Sequence, residues 1–182
     1  MQIRMRRGLL AATAAALLAS TIDVRAAAVD YFLKLDGIEG ESTSDRHKGW
    51  IDVLSWSWGV SSATSSGAGS GARVGKSCPT DVALTKLVDK ATPPLIGGAA
   101  GGTVIPNAIL IGMRAGEKQQ EFLKVEMKNV FVSSYSTGGS GGGDTPVDSV
   151  ALKFDSMTVS YFPQRPDGSL GQPVVVTFQG RC

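Results

Sequence analysis

The chain has 182 residues, enough for one domain of ordinary size and too few for two large ones. Hydrophobic residues make up 42% and charged residues 19%, the balance of a folded globular protein and not of a disordered one. One histidine and two cysteines exclude a zinc site built from four cysteines, or from two cysteines and two histidines.

The formal net charge of +2 is concentrated at the start of the chain. Residues 1–26 hold Arg4, Arg6, Arg7 and Arg25 against Asp23. Removing those four of 18 basic and that one of 16 acidic side chains leaves 14 and 15, a net of −1. A body so nearly neutral is not an electrostatic binder of nucleic acid. The same 26 residues read as a secretory signal: a positive start, an uncharged apolar run from Leu9 to Ala19, and small residues around Ala26–Ala28 for a peptidase. Arg6-Arg7 also resembles a twin-arginine motif. The apolar run has about a dozen residues where a stable span needs about 20, so no membrane span is expected in the mature chain.

From Val29 onward the pattern is mostly strand. Val29–Leu35 is β-rich and ends at the turn signal Asp36-Gly37. In the next strand Ile51, Val53, Ser55 and Ser57 share one face, and Trp50, Asp52, Leu54, Trp56 and Trp58 the other. Leu54, Trp56 and Trp58 are expected to face the core. Residues 61–77 are Ser, Ala and Gly with few large side chains, a long loop or strand-edged flap. Val82, Leu84 and Val88 mark a strand over 81–89. Thr92-Pro93-Pro94 is the best helix start, with Thr as a cap and Pro in the first turn; Gly97-Gly98 and Gly101-Gly102 keep that helix short. Strand regions follow over 108–115, 121–135 and 150–162, then 174–178. Residues 115–118 form a tight hairpin candidate, and 137–144 a glycine-rich turn. The parity change between Phe154 and Met157 suggests a bulge. The fold class is therefore mainly β: a β-barrel or sandwich with one short helix.

Catalytic chemistry is scarce. His47, in Ser44-Asp45-Arg46-His47-Lys48, reads as a solvated turn residue with no nucleophile beside it. Gly138–Gly143 lacks the lysine and the following helix of a phosphate loop. There is no nucleophile elbow. Cys78 and Cys182 are a candidate disulfide in an oxidising compartment, with a free thiol or an intermolecular link as the alternatives. No cofactor, metal or catalytic residue is nominated, and the profile favours assembly or binding over catalysis.

Four blocks, in order, carry a family resemblance. They are Ala28–Ser42 (AVDYFLKLDGIEGES), His47–Gly59 (HKGWIDVLSWSWG), Leu84–Leu95 (LTKLVDKATPPL) and Val132–Ser140 (VSSYSTGGS). The chain resembles Hcp, the haemolysin-coregulated tube protein family of type VI secretion, across roughly residues 28–170. The resemblance implies a two-sheet antiparallel β-barrel with one short flanking α-helix as a domain over 27–182, hexameric rings that stack into a hollow tube, and small effectors carried in the lumen. It also implies a spike and a contractile sheath as partners, secretion, and no enzymatic activity. It maps the segment Ser61, Ser65, Gly67, Gly69, Gly71, Arg73 and Lys76 onto the extended loop that reaches a neighbouring ring. It maps residues 92–102 onto the family helix. The signal, together with a C-terminal end (Pro173–Cys182) unlike the usual one, keeps a second reading open: an exported Hcp-like binding protein acting outside that machine, periplasmic if the signal is used.

Overall fold

The structure is a computed structural model that describes residues 28–67, 70–114, 119–143 and 145–180. Among them are eleven strands and one helix, and every strand pair is antiparallel. In chain order the strands are β1 (Val29–Leu35), β2 (Ile51–Val53), β3 (Ser55–Ser57), β4 (Val60–Gly67), β5 (Ser70–Pro79) and β6 (Val82–Leu87). After the helix α1 (Thr92–Gly101) come β7 (Ile105–Arg114), β8 (Gln120–Gly138), β9 (Val147–Lys153), β10 (Ser156–Tyr161) and β11 (Val174–Gln179).

The main sheet runs β2-β1-β7-β8-β9-β6-β3, with β10 between β8 and β11. Its hinge is the 19-residue β8. Residues 120–130 of β8 pair with β7, and the span 123–128 also pairs with β10. Residues 131–138 pair with β9. The change of partner falls at Asn129, held at a φ of 48°, the left-handed conformation that Asn tolerates better than most side chains. Asn129 Nδ2 donates to Asp155 Oδ2 at 3.0 Å, which ties this corner to the one between β9 and β10. The parity change at Phe154–Met157 is therefore a handover and not a bulge inside one strand. β9 leaves its pairing with β8 and β6, and β10 begins a new one with β8 and β11.

The same device operates at Leu54. Residues 51–53 pair with β1 and residues 55–57 with β6, so the sheet order starts and ends on two halves of one chain segment. This corrects the expected facing. Ile51 and Val53 are buried, and Leu54 at the corner is 54% exposed. Beyond it Trp56 and Trp58 turn inward as partly buried side chains against the core. Strict alternation fails because the chain changes partners between Val53 and Ser55.

The core between the two halves of the sheet draws on cross-strand rows, since directly paired residues share a face, together with Ile51, Val53, Val82, Leu84, Val150 and Leu152 from the β2, β6 and β9 side. One such row is Leu35–Ala108–Met127–Met157–Phe178. A smaller cluster on the other face of β1 and β7 holds Phe32, Ile111 and Met113, with Trp50 packed against it.

The helix starts where expected but not as expected. Its N-cap is Ala91 and no side chain caps it; the Thr92 hydroxyl is turned into the core. Asp89 Oδ1 instead accepts from the Ala91 N–H at 2.9 Å. The helix runs through Gly97-Gly98 and stops at Gly102, a left-handed residue with φ 64°. Gly98 lies against Val132, where a Cβ would come within 3.5 Å of Cγ2, an ordinary packing distance. No helix among the described residues is long and apolar enough to cross a membrane. The hairpin candidate at 115–118 lies outside the described residues.

Candidate assembly surface

The Ser/Ala/Gly segment forms an antiparallel hairpin, β4–β5, that makes its own two-stranded sheet. Its ladder runs from Val60 opposite Pro79 to Gly67 opposite Ser70, with two register shifts. At the base Thr80 N donates to Gly59 O at 2.8 Å, and Gly59 N donates to Thr80 Oγ1 at 2.9 Å. Ten residues of strand reach about 30 Å. Neither strand pairs with the main sheet, so the hairpin is joined to the body through its clamped base.

Of the loop residues expected from sequence, Ser61, Ser65 and Gly67 lie on β4, and Gly71, Arg73 and Lys76 on β5. The register sets Ser65 opposite Arg73 and Ser61 opposite Cys78. Gly69 lies outside the described residues. So does Cys182, which leaves the Cys78–Cys182 pairing outside them as well.

Beneath the body surface is a charged cluster that the sequence reading passed over. Lys86 and Asp148 are both fully buried. Lys86 Nζ donates to Asp148 Oδ2 at 2.9 Å, to the Leu87 carbonyl at 2.7 Å and to Thr92 Oγ1 at 3.0 Å, and it pairs with Asp89 at 2.7 Å. Tyr135 donates to Asp148 Oδ1 at 2.7 Å, and the Thr92 hydroxyl donates to Oδ2. One ion pair thus joins β6, β8, β9 and the first turn of α1. Burial pushes the Asp148 carboxyl up, but hydrogen bonds from Thr92, Lys86 and Tyr135 outweigh it and hold it at about 2. Burial, and the Asp148 carboxylate next to it, push the Tyr135 hydroxyl up. The signal was present in the sequence: Lys86 is in phase with Val82 and Leu84, while Leu87 and Val88, read as apolar, are exposed.

His47 is also corrected. It is 2% exposed, stacked on Phe32 at 4.7 Å and edge-on to Trp50 at 4.7 Å. It fills the loop between β1 and β2 as an aromatic plug over the smaller cluster. Nε2 is 3.6 Å from Glu121, and Nδ1 has no hydrogen-bond partner among the described residues. Burial lowers its pKa below 6.5, partly opposed by Glu121. Its ring is held by packing against Phe32 and Trp50.

A family model described as "Type VI secretion system effector, Hcp" matches residues 32–161. The chain belongs to the Hcp family. It is 44% identical over 149 residues to Protein hcp1 of Pseudomonas aeruginosa, a match covering 81% of this chain and 92% of that one. Among solved structures, a type six secretion system protein superposes with a TM-score of 0.79 at 31% identity, covering 84% of this chain and 96% of that one. Hcp1 from Salmonella typhimurium gives 0.69 at 33% identity, with 84% and 95% covered. The chain is therefore a structural tube protein of type VI secretion, not an enzyme. Hcp proteins are secreted by that system.

Proposed function

We propose that the chain assembles as hexameric rings that stack into a tube, with the β4–β5 hairpin as the bridge between rings. The lumen carries small effectors, and the spike and sheath are the further partners. The observation that carries this reading is the hairpin itself: two strands of eight and ten residues that pair with each other and with no strand of the main sheet. A polar, clamped arm of this kind adds little to a core and suits contact with another subunit. Deletion of Ser65–Gly71 tests it. Rings should persist and stacked tubes should disappear by electron microscopy; tubes of unchanged length in the deletion variant would refute the bridging role.

A second reading is favoured by residues 1–26, where Arg4, Arg6 and Arg7 precede an uncharged apolar run. Here the segment is a cleaved export signal, residues 27–182 are the mature domain, and the protein acts outside the type VI machine from the periplasm. Intact-mass measurement separates the two. A periplasmic species beginning near Ala27 supports general export. A secreted species that vanishes when the sheath is disabled supports the tube. The same spectrum, with and without reductant, reads whether Cys78 and Cys182 are joined.

A further inference from the structure

The segment between β1 and β2 is bonded mostly to itself. Ser42 N donates to Trp50 O, Gly40 N to Gly49 O and Gly49 N to Ser42 O, each at 2.9 Å. Its tip is a closed turn, with His47 N donating to Ser44 O and Trp50 N to His47 O, each at 3.1 Å. Two glycines in the left-handed region, Gly37 at φ 81° and Gly49 at φ 76°, stand near its ends. Among the described residues, the side-chain ties of 38–50 to the rest of the molecule are few. Lys90 reaches the exposed Glu39 and Glu41, and His47 faces Glu121. A unit of this kind can lift from the sheet without breaking a strand ladder, which makes it a candidate for local opening.

One ring fastens it. Arg46 and Lys48 are exposed, while His47 between them is buried, flat on Phe32 of β1 and edge-on to Trp50. Beneath lies the cluster of Phe32, Ile111 and Met113. Nε2 faces Glu121 of β8, so a neutral ring carries its proton there and leaves Nδ1 as a bare acceptor. The second proton of an imidazolium has to sit on Nδ1, which is buried and meets no acceptor among the described residues. The surrounding charges do not make up for this. Arg46 beside the ring repels an imidazolium, and Lys34 of β1 lies over the Trp50 ring at 5.9 Å. Asp30 of β1, Asp52 of β2 and Asp45 of the loop line a groove with Phe32, but among the described residues only Glu121 is within ion-pair reach, and it is 38% exposed. β7 brings the apolar Ile109, Ile111 and Met113. Burial therefore outweighs Glu121 and lowers the pKa of the seated ring below 6.5.

We infer that His47 is a pH-sensitive latch: as a neutral ring it holds residues 38–50 shut over Phe32, Ile111 and Met113, and as an imidazolium it releases them. In the open loop the ring is in water and takes up its proton near the ordinary 6.5. Between 6.5 and the lower value of the seated ring, each pH unit multiplies the open population by up to about tenfold; below the seated value the gain levels off. The loop is thus seated at neutral pH and loosened in acid, while the sheet beneath it stays paired. The device acts within one subunit and is independent of the assembly reading.

His47 is the single histidine of the chain, so its imidazole signals in a proton–carbon NMR spectrum of the purified protein are unambiguous. Their titration midpoint should lie below 6.5, and a midpoint at or above 6.5 would overturn the latch. Hydrogen exchange read by mass spectrometry at pH 7.5 and 5.5, corrected for the intrinsic exchange rate at each, locates the opening. Peptides over 42–50 should lose protection severalfold, with a ceiling of about tenfold for the one pH unit below 6.5, while peptides of β7 and β8 keep theirs. His47→Phe retains an aromatic ring but cannot take a proton, so its loop should be equally protected at both pH values. Equal protection in the wild type, a loss shared by loop and sheet, or a loss that persists in His47→Phe would each overturn the inference. The wild-type measurements need no variant, so they decide the matter even where His47→Phe fails to fold. Glu121→Gln, at a partly exposed position, removes the one carboxylate in reach and should move the NMR midpoint further down; a midpoint that rises would overturn the buried seat on which the latch depends.

Discussion

Replacing Lys86 by Met removes the cation from a fully buried carboxylate and keeps the side-chain volume nearly unchanged. Asp148 then retains donors from hydroxyl groups, Tyr135 and Thr92 among them, but no cation, and Asp89 loses its partner at 2.7 Å. Breaking a buried pair from one side costs about 3–5 kcal/mol, because the remaining charge is left in a medium that cannot solvate it. Total stability of a domain is about 5–15 kcal/mol, so the loss is a large part of it. For a domain of this size it corresponds to a fall in Tm of roughly 6–20 °C. The double variant Lys86→Met/Asp148→Leu should melt above the single one, since it removes the fully buried orphaned carboxylate; the less buried Asp89, the Leu87 carbonyl and the Tyr135 and Thr92 hydroxyls remain short of a partner. Thermal melts followed by near-ultraviolet circular dichroism read all three proteins. A single variant melting within about 2 °C of wild type, below even a 1 kcal/mol effect, would refute the claim that the pair is buried and mutually dependent. The same carboxylate bears on acid stability. Its folded pKa of about 2 lies below the ordinary 3.8, so its contribution is complete above about pH 5 and is lost progressively as pH falls through about 2.

Three further outcomes follow from single residues. Burial lowers the folded pKa of His47 below 6.5, so the folded state binds fewer protons in that window and stability should fall as pH drops from 7 to 5.5. His47→Phe should flatten that slope in melts at both pH values, and an unchanged slope would assign it to another group. A methyl group on Gly40 would run into the Trp50 and Ile51 backbone; Gly40→Ala should therefore cost at least about 1–3 kcal/mol in urea titration, and a neutral result would contradict the close approach. Gly97 is an exposed helical residue with open space around it. Gly97→Ala should stabilise the protein by about 0.5–1 kcal/mol in the same titration, and a loss would mean that the helix face is covered.

Local pattern carried much of this molecule. Alternation in Val29–Leu35, the apolar runs at 108–115 and 121–135, and Pro93-Pro94 in a first helical turn are each set by neighbours a few residues apart. These elements are present where the sequence placed them. The ordered blocks from Ala28 to Ser140 were likewise enough to identify the family, and with it a role without catalysis. The parity change at Phe154–Met157 was visible too, but not its meaning, because a bulge and a handover between strand partners break alternation in the same way.

Tertiary structure decided the rest. Leu54 is exposed because β1 holds one side of its segment and β6 the other, and neither partner is near it in sequence. Lys86 is buried because Asp148, 62 residues away, meets it with Thr92 and Asp89. His47 is buried because Phe32 and Trp50 enclose it. A charged or titratable side chain has no intrinsic burial; long-range partners supply the compensation that lets it leave water. Strand propensity and turns act over a few residues and can be read along the chain, whereas partner exchange, buried charge and uncovered edges exist only once distant strands lie side by side.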